Sequence, residues 1–295
     1  MRKLLISAIS FLNTAPLMWD FELGVPPRYS GGQLADPKLQ RDFAVEYTVP
    51  SKCAEALEAG TADIGIIPAV MLARIPGLVI LPDVAIASQG PVRSILLVSK
   101  VPLEQVRTLA ADTSSRTSVV LARVLFRLWF GRAPEFAPAA PYLAAMLADC
   151  DAALLIGDAA LMVDRSRYQS WDLADEWRRL TGRPFVFAVW AVRLAALGEM
   201  RTELDLPGVF RRSRDHGLEP ENLRTIARCW APRVRLSEAE IVEYLTRNID
   251  FNLDDENLAG LELFFHHAAR FGEIPAAPAL RFLGGLRESL AAISG

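Results

Sequence analysis

The sequence predicts an α/β protein of two domains, the first interrupted by the second, and three observations carry this. Short apolar, β-branched runs bounded by turn residues alternate with helical patterns from the start, the signature of a sheet with crossover helices. The length of 295 residues is about twice that of a typical domain. From about Leu194 onward the pattern turns almost wholly helical, as expected of helices laid over a sheet built earlier. Residues 1–90 with 191–295 are therefore expected to form a discontinuous α/β domain with C-terminal helices, and residues 91–190 an inserted second α/β domain.

In the first unit strands are expected over residues 3–9, 43–49, 63–67 and 78–81, followed by a long pair around 84–87 and 93–99. A helix fits between the second and third: Ser51 can cap it after Pro50, Cys53, Ala54 and Leu57 form its apolar side, and Gly60 suits the left-handed position beyond its end. Residues 23–42, with Pro26-Pro27 and Gly31-Gly32, read as a surface loop. The second unit offers strands near 108–111, 135–137 and 152–156 and a helix over 116–130. That helix has arginines along one edge, read mainly as a solvated face and alternatively as a basic binding stripe. Toward the C-terminus Ser237 and Glu240 form a capping box ahead of Ile241, Leu245 and Ile249. A last helix from about Asp254 turns Leu258, Leu261, Phe265 and Ala268 toward a core, its acidic first turn complementing the helix dipole.

Composition removes several classes of function. Hydrophobic residues at 52% and charged residues at 23% exclude a disordered polar chain. Lysine plus arginine total 32 against 35 acids, a net charge of −3, so nucleic acid is not an expected partner. Cys53, Cys150 and Cys229 are far apart and form no CxxC pair, which fits a reducing cytoplasm and no metal. Arg2-Lys3 before an apolar run resembles a secretory signal, but Ser7 and Ser10 interrupt the run and no A-x-A site follows, so a buried first strand is the expectation. The longest apolar stretch, 64–81, contains Pro68, Arg74 and Pro76, and no membrane span is expected. Neither GxxxxGK[ST] nor GxGxxG occurs, and no nucleotide or other cofactor is anticipated.

Ligands of open α/β sheets bind beyond the carboxyl ends of the strands, so the polar turns after each strand are the informative places. Four stand out: Ser10 to Thr14, Ser88-Gln89-Gly90, Asp112 to Ser118, and Gly157-Asp158. Together they could line one interdomain cleft. The hydroxyl run Thr113-Ser114-Ser115 with Arg116, opening a long helix, offers backbone N–H groups, hydroxyls and a guanidinium to a small carboxylate; a simple N-cap is the plainer reading. The three histidines, His216, His266 and His267, all fall in the helical C-terminal region, which makes a Ser-His-Asp hydrolase hard to build. Of the acids in these turns Asp158 is the one to test, as site residue or as a cap. Phe185 and Phe187 read as core, while Trp177 and Trp190 are candidates for a pocket wall.

Several of these segments together resemble menaquinone-biosynthesis proteins of the futalosine route: Ser10-Phe11-Leu12-Asn13-Thr14-Ala15-Pro16-Leu17, Val49-Pro50-Ser51, Ala59 to Pro68, Ser88 to Ser94, Asp112 to Ser118, Leu155 to Leu161, and Thr181 to Trp190. Glu176-Trp177 and Phe264-Phe265 continue the likeness, which runs in order over nearly the whole chain. The family has two branches of like fold, chorismate dehydratase and 1,4-dihydroxy-6-naphthoate synthase. The Asn-Thr-x-Pro-Leu opening resembles the dehydratase, and the histidine expected of the synthase is absent from the Gly157-Asp158 turn. The resemblance implies a two-lobed fold like a type II periplasmic binding protein, with an interdomain cleft. It also implies a lyase that converts chorismate to 3-enolpyruvylbenzoate by loss of water, in the cytoplasm and without cofactor. A small-carboxylate binding protein that closes without chemistry is the reading from a different class. Matched turn by turn, the expected catalytic residues are Asn13, Ser88 and Asp158. Substrate would be held by Ser51, Gly90, Ser94, Thr113, Ser114, Ser115, Arg116 and Thr117. The proton acceptor is either Asp158 or the substrate's own enolpyruvyl carboxylate, and a homodimer is left open.

Overall fold

A computed structural model describes residues 2–22, 37–198 and 204–284. Its strands are β1 Leu4–Ile9, β2 Phe43–Thr48, β3 Ile64–Pro68, β4 Leu78–Ser88, β5 Ile95–Ser99, β6 Thr108–Asp112, β7 Glu135–Ala139, β8 Ala152–Ile156, β9 Gln169–Asp172 and β10 Phe185–Arg193. The helices are α1 Trp19–Glu22, α2 Pro37–Asp42, α3 Pro50–Glu58, α4 Thr117–Phe130, α5 Leu143–Asp149, α6 Gly157–Leu161, α7 Leu173–Thr181, α8 Leu194–Leu197, α9 Leu206–Gly217, α10 Pro220–Val234, α11 Glu238–Glu243 and α12 Asp255–Arg270.

The strands form two sheets, β2-β1-β3-β10-β4 and β7-β6-β8-β5-β9, and the second repeats the plan of the first. β1 runs parallel to β2 and β3, as β6 does to β7 and β8. The fourth position in each is the antiparallel strand, β10 between β3 and β4, and β5 between β8 and β9. Each of these two strands is the first laid down after the chain crosses from the other sheet. The result is two α/β lobes whose parallel strands end facing each other, the arrangement that places ligands beyond strand ends.

Three sequence expectations need correction here. Residues 78–81 and 84–87 belong to one strand, β4, which passes through Asp83 at φ +69°; its ladder with β10 shifts register on the way, as a bulged pair does. The return crossing comes before Phe185 and not at 190/191, because the whole of β10 pairs with β3 and β4 of the first sheet. Ser51 does not cap α3: Val49 holds the N-cap position without a side-chain bond, and Pro50 starts the helix. The expected loop over residues 23–42 lies mostly outside the described residues, and its end forms α2.

The C-terminal helices seal the lobes. Ser237 and Glu240 form the reciprocal capping box, and Asp254 caps α12 through the Asn257 N–H. Between α11 and α12, residues Tyr244–Asn248 make a π turn in place of further α-helix. The arginine edge of α4 is not a solvated face. Arg127 pairs with Glu273 at 3.2 Å and donates to Phe271 O at 2.9 Å, and Arg123 lies 4.3 Å above the Phe136 ring. The Arg127 contacts tie α4 of the inserted lobe to the chain that follows α12.

Candidate functional site

The turns that follow β1, β2 and β3 in the first lobe each bond a turn of the second. Leu12 N–H donates to Asp158 Oδ1 at 2.9 Å, Ser51 N–H to Ser114 O at 3.1 Å, and Val70 N–H to Thr117 Oγ1 at 3.2 Å. The second-lobe partners stand after β8 and β6, so strand ends meet strand ends. Between them lies a cavity with about 50 Å³ of free space.

Its polar lining comes from Asn13 on one side and the start of α4 on the other, Ser115 to Ser118. Helix α4 has Arg116 at its N-cap with no side-chain cap bond, so its first N–H groups and the positive end of its dipole meet the cavity without a local acceptor. The Ser115 hydroxyl is buried, with the residue 4% exposed, and has no hydrogen-bond partner. An unpartnered buried hydroxyl beside an uncapped helix N-terminus is the arrangement that receives an oxyanion. Across from it, Asn13 is buried, its Oδ1 accepting from Thr14 Oγ1 at 3.4 Å. The apolar walls include Ile9, Phe11, Ile156, Gly157 and Phe187.

The other expected site residues have different surroundings. Ser114 donates its hydroxyl and its N–H to Asp112 Oδ1, at 2.6 and 2.9 Å, which turns it away from a ligand. Thr113 is exposed and lines an outer groove on the far side of Ser115 and Arg116, of about 440 Å³. The arginines of that groove already have partners: Arg74 on Glu273 O, Arg123 on the Glu273 carboxylate, and Arg116 on Glu55 at 3.5 Å. Ser88 is buried in the crossing turn, where its hydroxyl donates to Gly90 O at 2.6 Å and receives the Gly90 N–H. Ser94 is fully buried, and its carbonyl accepts from Gly157 N–H at 2.8 Å. Ser51 meets the second lobe through its backbone rather than through its hydroxyl.

Asp158 opens α6 but does not line the cavity; its carboxylate holds Leu12. Burial pushes its pKa up to about 6, against the pull of the Leu12 N–H and the Arg233 charge. Tyr244 of the π turn is fully buried close by, and burial raises its hydroxyl far above the ordinary value, opposed by Ser94 and Asn13, which lie in hydrogen-bonding reach. Burial also pushes the Cys53 thiol up to about 12, which leaves it inert as a nucleophile. Asp172 is the buried carboxylate of the crossing: it caps α7 and accepts from Val92 and Arg93 N–H at 3.1 and 2.6 Å, so the chain segment between the lobes is pinned.

Of the four aromatics singled out in the sequence, Phe185 is core as expected and the alternative pocket-wall reading of the two tryptophans fails. Trp177 and Trp190 are core: Trp177 donates to Pro184 O at 3.1 Å, and the Trp190 ring packs 4.6 Å from Phe210. Phe187, read as core, faces the cavity. Phe187 is a lining residue that sequence reasoning placed elsewhere, whereas Phe11 and Ser118 lie in turns it had picked out without giving either a role. Alternation along β10 gave no signal for Phe187, because it shares a strand face with Phe185, which is core.

Among the described residues no group of histidine, cysteine and acid is placed to hold a metal ion, and no helix is long and apolar enough to cross a membrane. Residues 4–270 match the menaquinone biosynthesis family. A chorismate dehydratase from Thermus thermophilus is 29% identical over 265 residues, covering 84% of this chain and 94% of that protein. Among solved structures, a protein from Archaeoglobus fulgidus superposes with a TM-score of 0.68 at 16% identity, over 92% of this chain and 98% of its own. The periplasmic aliphatic sulphonate binding protein of Escherichia coli follows at 0.63 and 14%, over 94% and 95%. The two lobes thus have the periplasmic binding protein fold, and the match over residues 4–270 settles the kinship that the turns had indicated: the chain belongs to the menaquinone biosynthesis family.

Proposed function

We propose that the protein is a chorismate dehydratase, a lyase that removes water from chorismate to give 3-enolpyruvylbenzoate. The observation that carries this reading is the cavity between the strand ends, where the uncapped start of α4 and the unpartnered Ser115 hydroxyl face Asn13. The relative from Thermus thermophilus supports the choice of reaction.

The C3–H bond and the C4–O bond of chorismate break, the C3–C4 bond becomes double, and the ring is then aromatic. Much of the driving force lies in that product, so the protein need only bind, orient and polarise. One carboxylate lies against Ser115 and the N–H groups of α4, with Arg116 and Thr117 beside it, where the helix dipole favours negative charge. The Asn13 amide addresses the departing C4 hydroxyl. The proton from C3 passes to the enolpyruvyl carboxylate, which hangs from the ether on C3, and from there to the departing hydroxyl, so that water leaves and no side chain changes its charge. Asp158 and Ser88 act one step back: Asp158 holds the Asn13 turn through Leu12, and Ser88 shapes the crossing turn with Gly90.

An apolar cavity that takes up benzene measures roughly 150 Å³, and the free space here is about 50 Å³. Entry of a substituted ring therefore requires the lobes to part at the three bonds that join the strand-end turns.

The test is incubation of purified protein with chorismate, followed by mass spectrometry for a product lighter by one water. Catalytic formation of 3-enolpyruvylbenzoate above the protein-free control establishes the dehydratase. Chorismate left unchanged by folded protein overturns it and turns attention to the naphthoate synthase reaction and then to ligand binding without turnover.

A further inference from the structure

Phe11 follows β1 in the first lobe, and its ring lies across the boundary on Gly157, the first residue of α6. A Cβ built on Gly157 would stand 2.5 Å from Phe11 Cδ2 and 2.7 Å from Cε2. Gly157 also has φ +58°, and its N–H is tied to Ser94 O at 2.8 Å, so its backbone is held in place under the ring. The position lacks a side chain for two separate reasons: its conformation favours glycine, and the ring occupies the space.

Both residues line the cavity. The wall contributed by Phe187 is fixed, since it belongs to β10 and packs 4.7 Å from the Phe185 ring. Ile9 and Ile156 likewise end sheet strands. Phe11 instead stands just ahead of a short 3-10 turn and is only half-buried. It is the wall whose removal opens space of a ring's own size without unpicking a sheet.

We propose that Phe11, seated on Gly157, sets the width of the cavity and restricts the site to carboxylates carried on a single six-membered ring. This rests on the reading of that cavity as the place where substrate binds. A two-ring acid would have to displace Phe11 from Gly157, and in doing so it would separate the lobes next to the Leu12–Asp158 bond.

The experiment is calorimetric titration of the protein, and of Phe11→Ala and Phe11→Leu, with 3-hydroxybenzoate and with 6-hydroxy-2-naphthoate, folding being checked by circular dichroism. The wild type is expected to bind the one-ring acid at least about tenfold more tightly. Phe11→Ala should bring the two within about threefold by a gain in two-ring affinity, with Phe11→Leu between. An unchanged preference in Phe11→Ala, no preference in the wild type, or no binding of either acid to any of the proteins overturns the proposal. Gly157→Ala gives an independent reading: it should weaken one-ring binding more in the wild type than in the Phe11→Ala background, and equal loss in both removes the ring contact from the argument. These readouts are binding of stable acids and stand apart from turnover. Failure to dehydrate chorismate refutes the proposed reaction, whereas the ring preference and its response to Phe11 decide this inference.

Discussion

The backbone N–H of Leu12 donates to Asp158 Oδ1 across the boundary between the lobes, at 2.9 Å. A carboxylate at the start of α6 thereby holds the turn that carries Asn13, one residue further on. The bond couples closure of the lobes to the placement of the amide. It also gives the Asp158 carboxylate a backbone partner in a place where a sequence reader looks for a base.

Two substitutions separate those roles. Asp158→Asn retains an oxygen that can accept from Leu12, so kcat/KM for chorismate should stay within about threefold of wild type. Asp158→Ala removes the acceptor, and a hydrogen bond to a charged group is worth about 1.5–3 kcal/mol, so a fall of about 10- to 100-fold, mainly through KM, is expected. A collapse of kcat in Asp158→Asn with KM unchanged would instead mark Asp158 as the proton acceptor.

The same group gives a signed dependence of stability on pH. Its folded pKa, about 6, lies above its ordinary value of 3.8, so between these values the folded chain binds more protons than the unfolded one. Its contribution to stability is fully present at low pH and is lost as pH rises toward about 6, with no further change beyond. Urea unfolding at steps across that window should show Asp158→Asn gaining on the wild type as pH increases. A difference that stays flat rejects the raised pKa.

Charge at the mouth of α4 should be decisive for binding. Asn13→Asp places a second negative group in the space meant for the substrate's oxygens, and kcat/KM should drop by about 100-fold or more, since like charges in a poorly solvated site repel by several kcal/mol. Ser115→Ala loses one hydrogen bond to the substrate's carboxylate, worth about 1.5–3 kcal/mol, so KM should rise about 10- to 100-fold with little change in melting temperature. Steady-state kinetics of the two variants checks both.

Glu273 is the anchor between the inserted lobe and the C-terminal tail. Its carboxylate lies 3.2 Å from Arg127 and 3.8 Å from Arg123, and it is only 12% exposed. Glu273→Ala leaves both guanidiniums without their acid and should cost about 1–3 kcal/mol, seen as a lower urea midpoint. Glu273→Gln, which keeps a hydrogen-bond acceptor, should cost less.

Much of this architecture is legible in the chain because it is local. Ser237 with Glu240 and Asp254 with Asn257 announce their helices by capping chemistry that needs no neighbour. The apolar runs at β1, β3 and β8 are strands whatever surrounds them, and the turns after them are where an α/β sheet must present its polar groups. The hydroxyl run at Asp112 to Ser118 was recognisable as a candidate anion-binding turn, but its members could not be ranked. Ser114 folds back on Asp112, Thr117 accepts from Val70 of the other lobe, and Ser115 alone keeps its buried hydroxyl unengaged. Neighbours in sequence with the same functional group differ only in what stands opposite.

The sequence by itself determined the elements, their alternation, the absence of a nucleotide or hydrolase signature, and the turns in which a site had to lie, because helix periodicity, strand patterning and capping act over a few residues. Only the tertiary structure decided which turns meet. Gly157 opposite Phe11, Leu12 bonded to Asp158, and Val70 bonded to Thr117 are contacts between segments far apart in the chain. They follow from the pairing of β10 with β3 and β4 and from the approach of two sheets, and no window of sequence contains the energy of such contacts.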